Sequence, residues 1–165
     1  VHFLNVASIG LSVDIAHRQD PDLKRQLGAL SYLVTALRTL GEAERFTATI
    51  TCGDVSETVQ AYQVSVGNGV HYGGGMRVAS DASIADGQLD AFAIQTASIP
   101  DLVAIAPGLL DGTIGSNADV RTYRGTEVRV ETETPMPVST DGEVTTETPA
   151  AFSIRKAALS VFVPA

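Results

Sequence analysis

Cysteine is nearly absent from this chain. Cys52 stands alone in 165 residues, which excludes an internal disulfide and any zinc site built from several cysteines. A reduced, cytosolic setting is the natural reading of that usage. Tryptophan is missing, and Phe and Tyr number five and four, so the core has to be assembled from Val, Ile, Leu and Ala. Basic residues are scarce as well: 11 Lys and Arg against 19 Asp and Glu leave a net charge of −8. Nucleic-acid modules cluster positive charge to neutralise phosphates, so that class is excluded. The same charge argues against strong electrostatic adsorption to an anionic membrane by this segment alone. No apolar run in these residues reaches the length of a membrane span, and none of them reads as a charged-then-apolar leader.

What remains is a hydrophobic fraction of 44% in a chain long enough to bury one core, so residues 1–165 read as one domain. Val and Thr are abundant, and β-branched side chains favour strands. Val1 to Ile9 reads as a strand ended by Gly10. Because the chain opens inside a core element, we expect a fragment of a longer protein. Leu23, Leu27, Leu30, Val34, Leu37 and Leu40 recur every three or four positions and predict one long helix. Asp20-Pro21-Asp22 would start it and Gly41 would stop it. Phe46 to Cys52 alternates, Gly53-Asp54 offers a turn, and Thr58 to Val66 returns as the second arm of a hairpin. Further strands are expected at Met76 to Ala79, Leu89 to Thr96, Asp119 to Tyr123, Glu127 to Glu133, Ala151 to Arg155 and Ala158 to Val163. Ser98-Ile99-Pro100-Asp101 should cap a short helix running to about Leu110. The expected fold is mainly β: an antiparallel β-sandwich with one long and one short helix.

Glycine is concentrated at Gly67-Asn68-Gly69, Gly73-Gly74-Gly75-Met76, Asp86-Gly87 and Asp141-Gly142-Glu143. Taken one at a time, an Asp-Gly or Asn-Gly pair is a tight turn, because Gly accepts positive φ. The triple glycine reads as a bulge or a close backbone approach. It is no Walker phosphate loop, since no Gly-Lys-Ser or Gly-Lys-Thr follows, and no dinucleotide fingerprint, since it opens no helix. The carboxylates Asp81, Asp86 and Asp90 lack the alternating ligands of an EF-hand loop. His2, His17 and His71 show no metal-ligand spacing.

In order, these pieces are more specific than they are singly. Phe3-Leu4-Asn5 with Ser8 and Gly10 precedes a helix carrying Lys24, Gly28 and Tyr32. Gly67-Asn68-Gly69, Gly73-Gly74-Gly75-Met76 and the run Asp81 to Asp90 follow, then Gly108 to Gly112, Asp141-Gly142-Glu143 and Val163-Pro164. This succession resembles the second domain of the bacterial diacylglycerol kinase-like lipid kinases, a family shared with sphingosine and ceramide kinases. The resemblance implies a β-sandwich that forms the acceptor side of a cleft. The other side would be an N-terminal nucleotide-binding domain whose Gly-Gly-Asp-Gly-Thr segment is not found here, and the chain alone is then expected to be inactive.

By the same resemblance, Asp141 is the general base for the hydroxyl of a lipid such as diacylglycerol, ionised at neutral pH from an ordinary pKa of about 3.9. Glu143, which in a strand would face the same way, orients the base or helps hold a cation. Asp86 resembles a structural Mg²⁺ position, with the backbone carbonyls of Ser83 and Gln88 as further ligands. Asn5, Asn68, Gly73, Gly74 and Gly75 border the cleft. ATP is the implied co-substrate, with a second, catalytic Mg²⁺. The implied setting is phospholipid biosynthesis at the cytoplasmic face of the inner membrane, and an open sheet edge offers a route to a homodimer. Two alternatives stand beside this reading. One is a domain of the related NAD kinase fold acting on a soluble acceptor; the other is a non-catalytic β-sandwich binding module.

Overall fold

Alternation along Phe46-Thr47-Ala48-Thr49-Ile50-Thr51-Cys52 puts Ala48, Ile50 and Cys52 on one face, and all three are buried. In the computed structural model, which describes residues 1–11, 13, 44–73, 76, 77, 79, 81–96 and 98–160, this segment is strand β2 (Phe46–Cys52). It pairs with β3 (Val55–Ala61) across the expected Gly53-Asp54 turn. Its other face carries a hydroxyl ladder to β3, with Thr49 and Thr58 3.0 Å apart and Thr51 and Ser56 3.1 Å apart. The expected run Thr58 to Val66 is not one strand. It breaks at Tyr62 into β3 and β4 (Gln63–Gly67), which lie in different sheets. Tyr62 already belongs to the second sheet: its N–H donates to Ile94 at 2.8 Å and its carbonyl accepts from Leu11 at 2.9 Å.

The larger sheet has six strands in the order β11-β10-β1-β4-β7-β8, and the smaller has four in the order β12-β9-β2-β3. The remaining strands are β1 (Val6–Gly10), β5 (His71–Gly73), β6 (Met76–Arg77), β7 (Leu89–Ile94), β8 (Val120–Gly125), β9 (Glu127–Thr132), β10 (Pro137–Thr140), β11 (Glu143–Glu147) and β12 (Ala150–Ser153). The pairings are antiparallel throughout both sheets. Ala7, Ile9, Val64, Val66, Ala91 and Val138 from the larger sheet pack on Ala48, Ile50, Val59, Val128, Val130 and Phe152 from the smaller. The opposite face of the larger sheet is covered too, because Phe92, Ile94 and Val120 pack on Ile105 and Ile114. Ile105 lies in helix α1 (Ile99–Asp111) and Ile114 in the 3₁₀ turn Ile114–Ser116. Helix α1 starts where its capping signal places it: the Ser98 hydroxyl accepts from the Asp101 N–H, and Gly112, at φ 86°, closes the other end.

Several expectations are corrected. The first strand begins at Val6 rather than Val1, because the N–H groups of Leu4, Asn5 and Val6 are taken by a side chain. Met76–Arg77 is shorter than expected and pairs with β5, while β10 and β11 form a hairpin where only a turn was expected. Ala158 to Ser160 adopt no strand, after a left-handed residue at Ala157, φ 52°. The rest of that expected strand and the long helix from Leu23 to Leu40 lie outside the described residues.

Candidate functional site

Asp141 and Gly142 join β10 to β11 as a two-residue turn, with φ 49° and 96° and with Thr140 paired to Glu143. Both residues at positive φ is the hairpin geometry that Asp-Gly favours. The turn is stitched to the start of β1. The Leu4 N–H donates to Asp141 Oδ2 at 2.7 Å, and the N–H groups of Asn5 and Val6 donate to Oδ1 at 2.9 and 3.0 Å. The Asp141 N–H donates back to Val6 at 2.8 Å. Burial pushes the Asp141 carboxyl up, but the bonds from Leu4, Val6 and Asn5 outweigh it and hold it below the ordinary carboxylate range. Asp141 thus lies in the turn itself, not in a strand beside Glu143. Glu143 opens β11 and is exposed.

Asn68 completes this corner. Its N–H donates to the Asn5 carbonyl at 2.8 Å and its Nδ2 to the Leu4 carbonyl at 3.1 Å, while its Oδ1 is buried with no partner among the described residues. Gly73 ends β5, and Gly74 and Gly75 lie outside the described residues.

The second cluster is built on the loop before β7. The Asp86 N–H donates to the Ser83 carbonyl at 3.2 Å, and the Gln88 N–H donates to Asp86 Oδ1 at 2.8 Å. Arg124, from β8, then spans three carboxylates. Its Nη2 lies 2.8 Å from Asp86 Oδ2, its Nη1 2.6 Å from Asp81 Oδ2, and its Nε 3.4 Å from Asp90 Oδ1. The Gln88 N–H bond is the main cause that holds the Asp86 carboxyl low; burial opposes it and Arg124 adds to it. Asp90 goes the other way: burial pushes it up, Arg124 opposes, and Asp86 and Asp81 add to the rise. A cavity of about 400 Å³ opens beside the cluster, lined in part by Asp81, Asp90, Thr113, Ser116, Thr122 and Arg124.

The donor set suits a hard cation. Among the described residues no three His, Cys, Asp or Glu side chains come together as metal ligands, so a cation at Asp86 would draw on the Ser83 and Gln88 carbonyls. Three carboxylates against one guanidinium leave the cluster at −2, and Asp90 Oδ2 is buried with no partner among the described residues.

Sheet register unites the two clusters. Val6 pairs with Gly67, Gly67 with Asp90, and Asp90 with Arg124, while Asp141 is tied to Val6. Asn5, Asn68, Asp86, Asp90, Arg124 and Asp141 therefore sit along one end of the larger sheet. Arg124 carries no local sequence signal, since only the β7–β8 register brings it to Asp90. These elements define an antiparallel β-sandwich whose larger sheet carries a carboxylate-rich end.

Comparison with known proteins places it further. Residues 5–163 match the family model described as the YegS C-terminal NAD kinase beta sandwich-like domain, and the chain belongs to that family. It is 32% identical over 168 residues to a "Probable lipid kinase YegS-like" of Alcanivorax borkumensis, covering 99% of this chain and 55% of that protein. A protein of the same name from Pseudomonas aeruginosa is 29% identical over 163 residues, 99% of this chain and 53% of its own length. Among solved structures, a diacylglycerol kinase from Bacillus anthracis superposes with a TM-score of 0.69 at 29% identity, over 94% of this chain and 50% of its own. The chain thus spans about half the length of the relatives it matches, and it is a lipid kinase-like C-terminal domain.

Proposed function

We propose that this domain forms the acceptor side of an ATP-dependent kinase that phosphorylates the primary hydroxyl of a diacylglycerol-like lipid. The observation that carries the reading is the state of Asp141. An ionised carboxylate has about two lone-pair sites on each oxygen. Oδ1 accepts from both Asn5 and Val6 and is full, whereas Oδ2 accepts only from Leu4 and keeps one site open. Oδ2 is then the atom that takes the hydroxyl proton as the lipid oxygen attacks the γ-phosphorus and the bond to the β-phosphate oxygen breaks. A carboxylate held this low is a weak base. That suits a loose transition state, in which the nucleophile loses its proton late and alignment matters more than basicity. Asn68 Oδ1, buried without a donor beside Leu4, fits a role in fixing the substrate edge of the cleft. Asn5 fixes the floor through its backbone.

Ser83, Asp86 and Gln88 would hold a structural Mg²⁺, which supplies a positive charge that braces the loop. Glu143 would help hold the cation that accompanies ATP. The nucleotide itself would be bound by a further domain of a longer protein, working as a peripheral enzyme at the cytoplasmic face of the inner membrane, with homodimer formation through a sheet edge. The test is label transfer from γ-labelled ATP by the longer protein, offered dioctanoylglycerol in mixed micelles and NAD in parallel. Label in the lipid is expected. Label in NAD would favour a soluble acceptor, and none in either a binding module.

A further inference from the structure

Asp90 presents a problem that the proposed Mg²⁺ site at Asp86 leaves untouched. The residue is 6% exposed, and among the described residues its Oδ1 makes only a long contact of 3.4 Å with Arg124 Nε and its Oδ2 has no partner. A buried carboxylate oxygen without a donor is costly unless something arrives to satisfy it. Meanwhile the shorter contacts of the same guanidinium go elsewhere, to Asp81 at 2.6 Å and to Asp86 at 2.8 Å. Arg124 thus pairs closely with the very carboxylate that would bind the cation and only loosely with the carboxylate beside it.

Resting on the Mg²⁺ reading above, we propose that Arg124 is a built-in competitor for the cation at Asp86, with Asp90 as its second docking point. In the arrangement seen here the guanidinium occupies Asp86 Oδ2. A cation binding at Asp86 repels the like charge, and Arg124 yields Asp86 and closes on Asp90. There its planar fork engages both oxygens and satisfies Oδ2. Asp90 and Arg124 already face each other in the β7–β8 register, so the change needs only a side-chain rotation. The cluster stands at −2 with Arg124 alone and at zero once Mg²⁺ is bound and Arg124 has moved back to Asp90. Coupling of this kind is reciprocal: whatever holds Arg124 on Asp86 weakens the cation by the same factor.

The test uses this 165-residue chain, titrated with MgCl₂ by calorimetry, with the Arg124 Nε–H resonance as a second readout. Arg124→Gln should tighten Mg²⁺ by about tenfold, a usual size for site coupling, and Arg124→Lys, which keeps the charge, should not. Asp90→Asn should weaken Mg²⁺, because Arg124 then has nowhere to retreat. In the wild-type chain the Arg124 resonance should shift as Mg²⁺ binds. Asp86→Ala should abolish binding in both backgrounds. An unchanged Mg²⁺ affinity in Arg124→Gln, with Asp86→Ala still abolishing binding, would overturn the competition and leave the Asp86 site standing. Mg²⁺ binding indifferent to Asp86→Ala would remove that site and the competition with it.

Discussion

The backbone N–H of Asn5 lies 2.9 Å from Asp141 Oδ1, a bond that joins residues 136 positions apart in the chain. With the bonds from Leu4 and Val6 it makes the Asp141 carboxylate both the proposed base and the clasp that fixes the entry to β1. Substitutions there act on chemistry and on stability together.

Asp141→Asn therefore carries two expected effects. Turnover of lipid by the longer protein should fall about 10²–10⁴-fold, the contribution of a general base, with little change in the KM for ATP. For the backbone of a positive-φ turn, Asn is an even exchange for Asp. The side chain is another matter, since an amide group would point one N–H at another and break at least one of the bonds from Leu4, Asn5 and Val6. A loss of about 1–2 kcal/mol should appear in urea melts of this chain. Full turnover with unchanged stability would return Asp141 to an ordinary turn residue.

Acid should erase that stability difference. The folded pKa of Asp141 lies below the unfolded value near 3.8. Its carboxylate therefore stabilises the fold fully above the unfolded pKa, and the stabilisation is lost as pH falls through the folded pKa. The gap in urea midpoint between wild type and Asp141→Asn should be constant from about pH 7 to 5 and narrow below about pH 4. A gap that stayed wide in acid would mean that hydrogen-bond shape, and not charge, holds the clasp.

Gly10 offers a purely structural test. Its φ is 92°, and a Cβ there would sit 2.4 Å from the Tyr62 carbonyl oxygen and 2.7 Å from Phe46 Cε1. Gly10→Ala should cost about 2–4 kcal/mol, from backbone strain plus overpacking. Gly53→Ala is the control, at φ 58° but with nothing within 4 Å of the added atom, and should cost only about 1 kcal/mol. Equal losses in the two variants would mean that strain, and not the approach of Tyr62, decides the first.

What sequence makes legible here is what is local. The Ser98 cap, the alternation of Phe46–Cys52 and the Gly53-Asp54 turn are settled by neighbours within a few positions, and each appears as expected. The break at Tyr62 is not, because the residues on both sides of it read as strand and only the packing of the two sheets divides them. β11 is equally hidden: Glu143–Glu147 is exposed along its whole length and lacks the period that marks a strand. Asp141 and Asp86 stand out through their adjoining glycines. Arg124 has no such flag, since its meaning comes from the pairing of Asp90 with it across β7 and β8.

The central place of β1 has a consequence for synthesis on the ribosome. It lies between β4 and β10, with Ala7 opposite both Val66 and Thr140. β1 is made well before β10 and waits for it before its second edge is sealed. Until Pro137–Thr140 has left the exit tunnel, the nascent domain displays an unsatisfied strand edge at its centre. A fold closed by so distant a pairing forms slowly and late, so truncations that remove β10 should yield an aggregating chain rather than a smaller domain.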